Sequence, residues 1–135
     1  MATSTNPKQY VIDSSVIISY LMVDEKIKPE HEQVITEHLH HKIVLIAPII
    51  LPFEIGNSLK SAILSKRLTS SQAIELFKQF FNLEISLMPI NYHTVLSLSA
   101  THNLSFYDAA YFSLAAKLKS PLLTLDKKLL SLIKV

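Results

Sequence analysis

Tyr10-Val11-Ile12-Asp13-Ser14-Ser15-Val16 is the stretch on which the fold turns. Its three β-favouring residues read as a short buried strand, and Asp-Ser-Ser directly after them is a helix-start signal for Val16 to Met22. A strand passing through an acidic cap into a helix is how a parallel α/β unit begins. The same grammar recurs downstream. Ile43-Val44-Leu45-Ile46 is a β-branched strand closed by Ala47-Pro48, and a helix starting close to Pro52 runs to about Lys66. Glu84 to Met88 alternates at period two and stops at Pro89; Leu122-Leu123-Thr124-Leu125 is a last strand, after which Asp126 opens a short helix. Pro29 to His41, Ser70 to Asn82 (Ser71 and Glu75 flanking its first turn), Asn91 to Asn103 and Phe106 to Lys119 carry helical patterns. Strands separated by helices require parallel pairing, right-handed crossovers and helices on both faces. The expectation is one three-layer α/β/α domain over 1–135, with a parallel sheet of four or five short strands.

Composition narrows the chemistry. The chain has 135 residues, 49% hydrophobic and 18% charged, which suits one compact domain and excludes disorder. It has no Cys, so disulfide scaffolds, zinc fingers, iron–sulfur sites and thiol nucleophiles are out. Its single glycine, Gly56, excludes glycine-rich phosphate loops. The longest apolar run, Ile43 to Phe53, is about half the ~20 residues of a membrane span and is broken by Pro48 and Pro52, so no membrane association is expected. Met1 to Lys8 is polar, without the apolar region of a secretion signal, which points to the cytoplasm. A mean hydropathy of +0.30 is high for a free monomer and suggests surface covered by another chain.

Three of the four Asp residues stand at element junctions. Asp13 follows the first strand, Asp126 follows the last, and Asp108 lies in the first turn of the helix leading into it. Glu54 lies near the start of the helix after the second strand. In a parallel sheet every such helix start faces the carboxyl edge, where these folds bind ligands. Singly, each acid has an ordinary reading: Asp13 and Asp126 as N-caps, Asp108 answering Ser105 in a capping box, Glu54 against the helix dipole. Together they favour one site. Glu54 also sits among Ile50, Leu51, Pro52, Phe53 and Ile55, which argues against simple exposure. Carboxylates gathered on one edge repel, so protons or cations must neutralise them, and an all-oxygen donor set suits Mg²⁺ or Mn²⁺.

Setting those four acids aside leaves thirteen bases against seven acids, a net of +6, which fits a polyanionic partner. Lys60, Lys66, Arg67, Lys127 and Lys128 are the phosphate-contact candidates. His31, His38, His40 and His41 suggest a second metal group, but their spacing suits capping at a helix end better than a zinc site. His93 and His102 read as helix-surface residues. Tyr107, Tyr111 and Phe112 are candidates for base stacking, although at helical spacing such residues are usually core.

The ordered set Val11-Ile12-Asp13-Ser14-Ser15-Val16, Pro52-Phe53-Glu54-Ile55-Gly56-Asn57-Ser58-Leu59, Ser105-Phe106-Tyr107-Asp108-Ala109-Ala110-Tyr111 and Leu123-Thr124-Leu125-Asp126 resembles the PIN domain. It is most similar to the single-domain VapC-type toxins of toxin–antitoxin pairs, over Tyr10 to about Leu130. The resemblance implies a flavodoxin-like fold and an Mg²⁺- or Mn²⁺-dependent endoribonuclease holding one or two ions. It further implies an RNA substrate, a homodimer and a cognate antitoxin protein. Asp13, Glu54, Asp108 and Asp126 correspond to the family's acidic quartet, as catalytic and metal-binding residues. Ser15, Asn57 and Thr124 correspond to supporting positions. Pro52 and the single Arg are departures from the family pattern. With metal-activated water as nucleophile, products carrying 5′-phosphate and 3′-hydroxyl ends follow.

Competing enzyme readings lack residues. An aspartyl-phosphate phosphatase needs a second Asp two positions after Asp13, where Ser15 stands, and a phospho-acceptor receiver needs an Asp where Pro89-Ile90-Asn91 follows the third strand. The alternative from another class is a non-catalytic PIN-like module binding RNA or protein. For the antitoxin, an apolar groove is expected to involve Val16, Ile17, Tyr20 and Leu21 with Leu59 and Ile63, and a basic antitoxin side chain to reach the acids.

Overall fold

A computed structural model describes residues 7–133. Strand β1 (Gln9–Ile12) leads into helices α1 (Ser14–Leu21) and α2 (Pro29–Leu39), then β2 (Val44–Pro48), α3 (Leu51–Leu64) and α4 (Ser70–Asn82). Strand β3 (Ser86–Met88), α5 (Tyr92–His102), α6 (Phe106–Leu118), β4 (Leu122–Leu123) and α7 (Lys127–Ile133) follow. Among the described residues the sheet has four strands, all parallel, in the order β3-β2-β1-β4. The chain steps from β1 to β2 to β3 in one direction, then returns to lay β4 on the far side of β1. Right-handed crossovers send the helices of the two directions to opposite faces. Accordingly α1, α3 and α4 pack on one another, while α5 packs on α6 and α6 lies against β1, β2 and β4. The reversal makes the gap between β1 and β4 a topological switch point, the place where open α/β sheets bind ligands.

The core is continuous through the sheet. Val11, Ile12, Val16, Ile17, Leu45, Ala47, Leu51, Ile55 and Ala109 have no exposed surface. This burial corrects the groove expectation. Val16, Ile17, Leu21 and Leu59 are core residues, and only Tyr20 and Ile63 reach the surface in part. Burying each Val, Ile or Leu contributes about 1.5–3 kcal/mol, too much for a free chain to leave on a docking face. On α3, Ile63 and the edge of Leu59 do line a shallow apolar groove with Gly56, Ile74 and Phe77 of α3 and α4.

Local chemistry explains the element ends. Pro52 occupies the first turn of α3, where the missing N–H has no intrahelical partner to lose. Helix α4 is capped by Thr69, one residue before the expected helix start at Ser70. Gln72 N donates to Thr69 Oγ1 at 3.1 Å, and Thr69 N donates to Gln72 Oε1 at 2.9 Å, a complete capping box. Strand β4 is two residues shorter than its sequence pattern. Leu125 N donates to Ser15 Oγ at 3.0 Å, so a side chain stands where a strand partner would continue the ladder.

Candidate active site

Asp13 ends β1 and caps α1. Its Oδ1 accepts from Ser15 N at 2.7 Å and from Ser15 Oγ at 2.5 Å, and its Oδ2 accepts from Thr124 Oγ1 at 2.5 Å. Ser15 and Thr124 also bind the returning chain: Ser15 Oγ accepts from Leu125 N, and Thr124 Oγ1 accepts from Asp126 N at 3.0 Å. The two hydroxyls thus lock the end of β1 to the segment after β4, across the switch point. Asp13 is 4% exposed and Thr124 2%. A carboxylate has about four acceptor positions, and these three bonds leave one of them open.

Each remaining acid arrives on a helix start. Asp126 Oδ1 caps α7 by accepting from Leu129 N at 2.9 Å, leaving its other oxygen without such a bond. Asp108 lies in the first turn of α6, where Ser105 Oγ accepts from its N–H at 3.0 Å, so the capping half of the box is present. Glu54, half-buried in the first turn of α3, accepts at Oε1 from Tyr111 Oη at 2.6 Å. The capping readings of Asp13 and Asp126 therefore hold, and each cap consumes only part of its carboxylate.

The electrostatics tie the four together. Burial raises the Asp13 pKa; the Ser15 and Thr124 hydrogen bonds oppose it, and Asp126 adds to it. Burial raises Glu54 against the Tyr111 bond, with Asp13 and Asp108 adding to the rise. Asp108 is raised by burial, then by Asp126 and Asp13. Asp13 and Asp108 each couple to all three others, and Asp13 is the one of the four that is fully buried. Tyr111 is pushed far above the ordinary phenol range, by burial first and then by Glu54, so it stays a hydrogen-bond donor. Among the described residues none of the four acids forms an ion pair. Nor are three carboxylate or imidazole groups among those residues drawn in to metal-ligand spacing. The donor set, all oxygen with acceptor positions open, fits a hard divalent cation.

Other expected residues divide. Asn57 is exposed on α3, and among the described residues no hydrogen bond ties it to the acids. Arg67 is removed from the phosphate-contact group: Nε and Nη2 donate to Asp24 at 3.0 and 2.9 Å, and Nη2 to Glu25 at 3.1 Å. Lys128 donates to Asn103 O and lowers the Asp108 pKa slightly, while Lys60, Lys66 and Lys127 are exposed. His38 is structural. Its Nδ1 accepts from Leu45 N at 3.1 Å, which makes Nε2 the protonated nitrogen facing Leu83 O at 2.6 Å. His40 and His41 are exposed and His31 is buried. Tyr107 is exposed and Phe112 partly buried, packing edge-on to His102. Tyr111, by contrast, joins the acids. The signal for it was its position three residues after Asp108, on the same face of α6.

The sequence model of the PIN domain family matches residues 10–134. "Ribonuclease VapC1" of Mycobacterium tuberculosis is 29% identical over 119 residues, covering 87% of this chain and 90% of that protein. "Ribonuclease VapC3" of Pyrobaculum aerophilum is 28% identical over 123 residues, covering 88% and 90%. Among solved structures, the crystal structure of PAE2754 from Pyrobaculum aerophilum superposes with a TM-score of 0.74 at 21% identity, covering 93% of this chain and 80% of that one.

Proposed function

This chain belongs to the PIN domain family, and we propose that it is a divalent-cation-dependent endoribonuclease, the toxin of a VapBC-type toxin–antitoxin pair. What supports the reading is that Asp13, Glu54, Asp108 and Asp126 all stand at helix starts and act on one another's charge, with three of them raised in pKa and none of them ion-paired among the described residues. A chain that only bound RNA would gain nothing from a cluster of like charges facing its ligand. Asp13, Asp108 and Asp126 would hold Mg²⁺ or Mn²⁺, with Glu54 completing the donor set for one ion or two. Such a cation, when bound, neutralises phosphate charge and activates water for in-line displacement. Ser15 and Thr124 keep the Asp13 carboxylate fixed in orientation through ion entry and loss. Tyr111 does the same for one oxygen of Glu54.

The ribonuclease relatives and the acidic geometry support an enzyme acting on RNA in the cytoplasm. No helix among the described residues is long and apolar enough to cross a membrane. The partner reading adds a homodimer and a cognate antitoxin whose apolar segment lies in the α3–α4 groove, with exposed Ile74 at its rim. Incubation with a panel of structured RNAs, in EDTA and then with Mn²⁺, tests the activity. Cleavage should require the cation, Ca²⁺ should support little turnover, and the ends should be 5′-phosphate and 3′-hydroxyl. Products ending in 2′,3′-cyclic phosphate would overturn the mechanism.

A further inference from the structure

Tyr111 is 1% exposed, yet its hydroxyl reaches Glu54 on a different helix layer, 57 residues away in sequence. Phenylalanine would pack the α6 position equally well and would avoid burying a polar group, which costs about 1–3 kcal/mol when left unpaired. The hydroxyl therefore needs a reason at its far end. That end is one oxygen of a half-buried carboxylate. The bond runs from the second turn of α6, about one turn after Asp108, to the first turn of α3. It links the two helix starts that deliver Glu54 and Asp108, over the edge where Asp13 ends β1. Negative charge on Asp13 and Asp108 also acts on the hydroxyl, so it lies within electrostatic reach of three of the four acids.

We propose that Tyr111 is a positioning residue for the cation site: by holding Glu54 Oε1, it fixes the Glu54 carboxylate so that Oε2 is presented toward Asp13 and Asp108. The inference rests on the cation-dependent reading above and adds a neutral residue to a site otherwise recognised by its acids. Without the hydroxyl, Glu54 swings away from its like-charged neighbours, because repulsion from Asp13 and Asp108 favours the outward rotamer. The bond holds it in against that repulsion and saves the cation the cost of recruiting it. Removing a partner that orients a metal ligand typically weakens metal affinity by about 10–100-fold.

The experiment is a titration of the RNA-free protein with Mn²⁺, followed by loss of the free-ion electron paramagnetic resonance signal. Tyr111→Phe and Tyr111→Leu should each bind Mn²⁺ about 10–100-fold more weakly. Cleavage by Tyr111→Phe should fall at limiting Mn²⁺ and recover at high Mn²⁺, with RNA affinity in EDTA unchanged. In a Glu54→Gln background, adding Tyr111→Phe should change Mn²⁺ affinity no further. Native Mn²⁺ affinity in either folded variant, whatever its melting temperature, overturns the proposal in favour of a packing role. So does failure of both variants to fold, or a native protein that binds no Mn²⁺. Absence of RNA cleavage by a native protein that does bind Mn²⁺ removes the nuclease reading alone, since the titration scores Tyr111 without RNA.

Discussion

Asp24 and Glu25 meet the chain's single arginine at the surface, whereas Asp13, Glu54, Asp108 and Asp126, among the described residues, have only neutral hydrogen-bond partners and one another's charge. The two acidic regions handle charge in opposite ways. Around Asp24 the guanidinium hydrogen bonds lower the carboxyl pKa, in a place where water alone would already solvate it. At the sheet edge, burial raises Asp13, Glu54 and Asp108, and their mutual repulsion adds to the rise. A fold under selection only for stability would place its arginine where the unfavourable charge lies. Among the described residues the arginine pairs with the exposed acids and not with the buried ones, which supports the proposal that a cation from outside the chain neutralises the latter.

The sharpest way to break this comparison is to remove its buried acid. Asp13→Asn should lower RNA cleavage at least ~10²-fold, because the charge of a proposed ligand is lost at the most buried of the four acids. The amide can still accept from Ser15 N and face Thr124 Oγ1, so the fold should survive. In EDTA above pH 7 its melting temperature should be no lower than that of the native chain, since a buried charge has been deleted. Near-native activity in this variant would end the shared-site reading.

Protons and cations should compete for the same edge. Asp13, Glu54 and Asp108 all have folded pKa values above their unfolded ones, so the folded state binds more protons across that window. The contribution of these three acids to stability in EDTA should therefore be fully present below the ordinary carboxylate range near about 4, and be lost as pH rises through the folded values. Mn²⁺ should reverse the loss at neutral pH, by about 2.7 kcal/mol at a hundredfold excess over its dissociation constant. Denaturant melts at several pH values, with EDTA or Mn²⁺, measure both effects. Stability that climbs with pH in EDTA would show that the acids are already neutralised from within.

Thr124 sharpens the comparison on a smaller scale. Its hydroxyl donates to Asp13 Oδ2 and accepts from Asp126 N while 2% exposed. Thr124→Val keeps the shape, leaves Asp126 N–H without that partner and takes a donor from Asp13. Urea unfolding should show a loss of about 1–3 kcal/mol, and Thr124→Ser should restore most of it. An unchanged Val variant would mean that the hydroxyl pair does not clamp β1 to the chain after β4.

These same residues show where sequence reading stops. Helix α4 was legible to the residue, Ser70 to Asn82, because its polar start and amphipathic face are local properties. The acids were legible because Asp is scarce in this chain and falls at element junctions. The length of β4 was not, since Thr124 and Leu125 give their hydrogen-bonding groups to Asp13, Asp126 and Ser15, and the Asp13 and Ser15 partners lie about 110 residues away. Helix α1 is apolar on most sides, so periodicity alone did not separate its core face from an exposed one. In α6 the apolar sequence concealed Tyr111, whose role depends on Glu54 arriving from the other layer. Arg67 read as a phosphate contact because its acids sit 42 and 43 residues upstream.

Arg67 itself supplies the smallest expected effect. Its guanidinium holds Asp24 in a bidentate pair and reaches Glu25, but the arginine and Asp24 side chains are both largely in water, at 42% and 54% exposure. Exposed pairs of this kind gain little, because solvent already screens the charges and ordering two side chains costs entropy. Arg67→Gln should shift the melting temperature only slightly at low salt, and the shift should vanish as ionic strength shortens the screening length. RNA affinity in EDTA and its salt dependence should stay native, since the two acids already neutralise this cation. A lysine truly on phosphate would behave differently: its loss should flatten the slope of log affinity against log salt by roughly one ion's worth. If Arg67→Gln flattens that slope, the arginine leaves Asp24 and Glu25 when RNA arrives. The contrast between the two acidic regions would then belong to the free protein only.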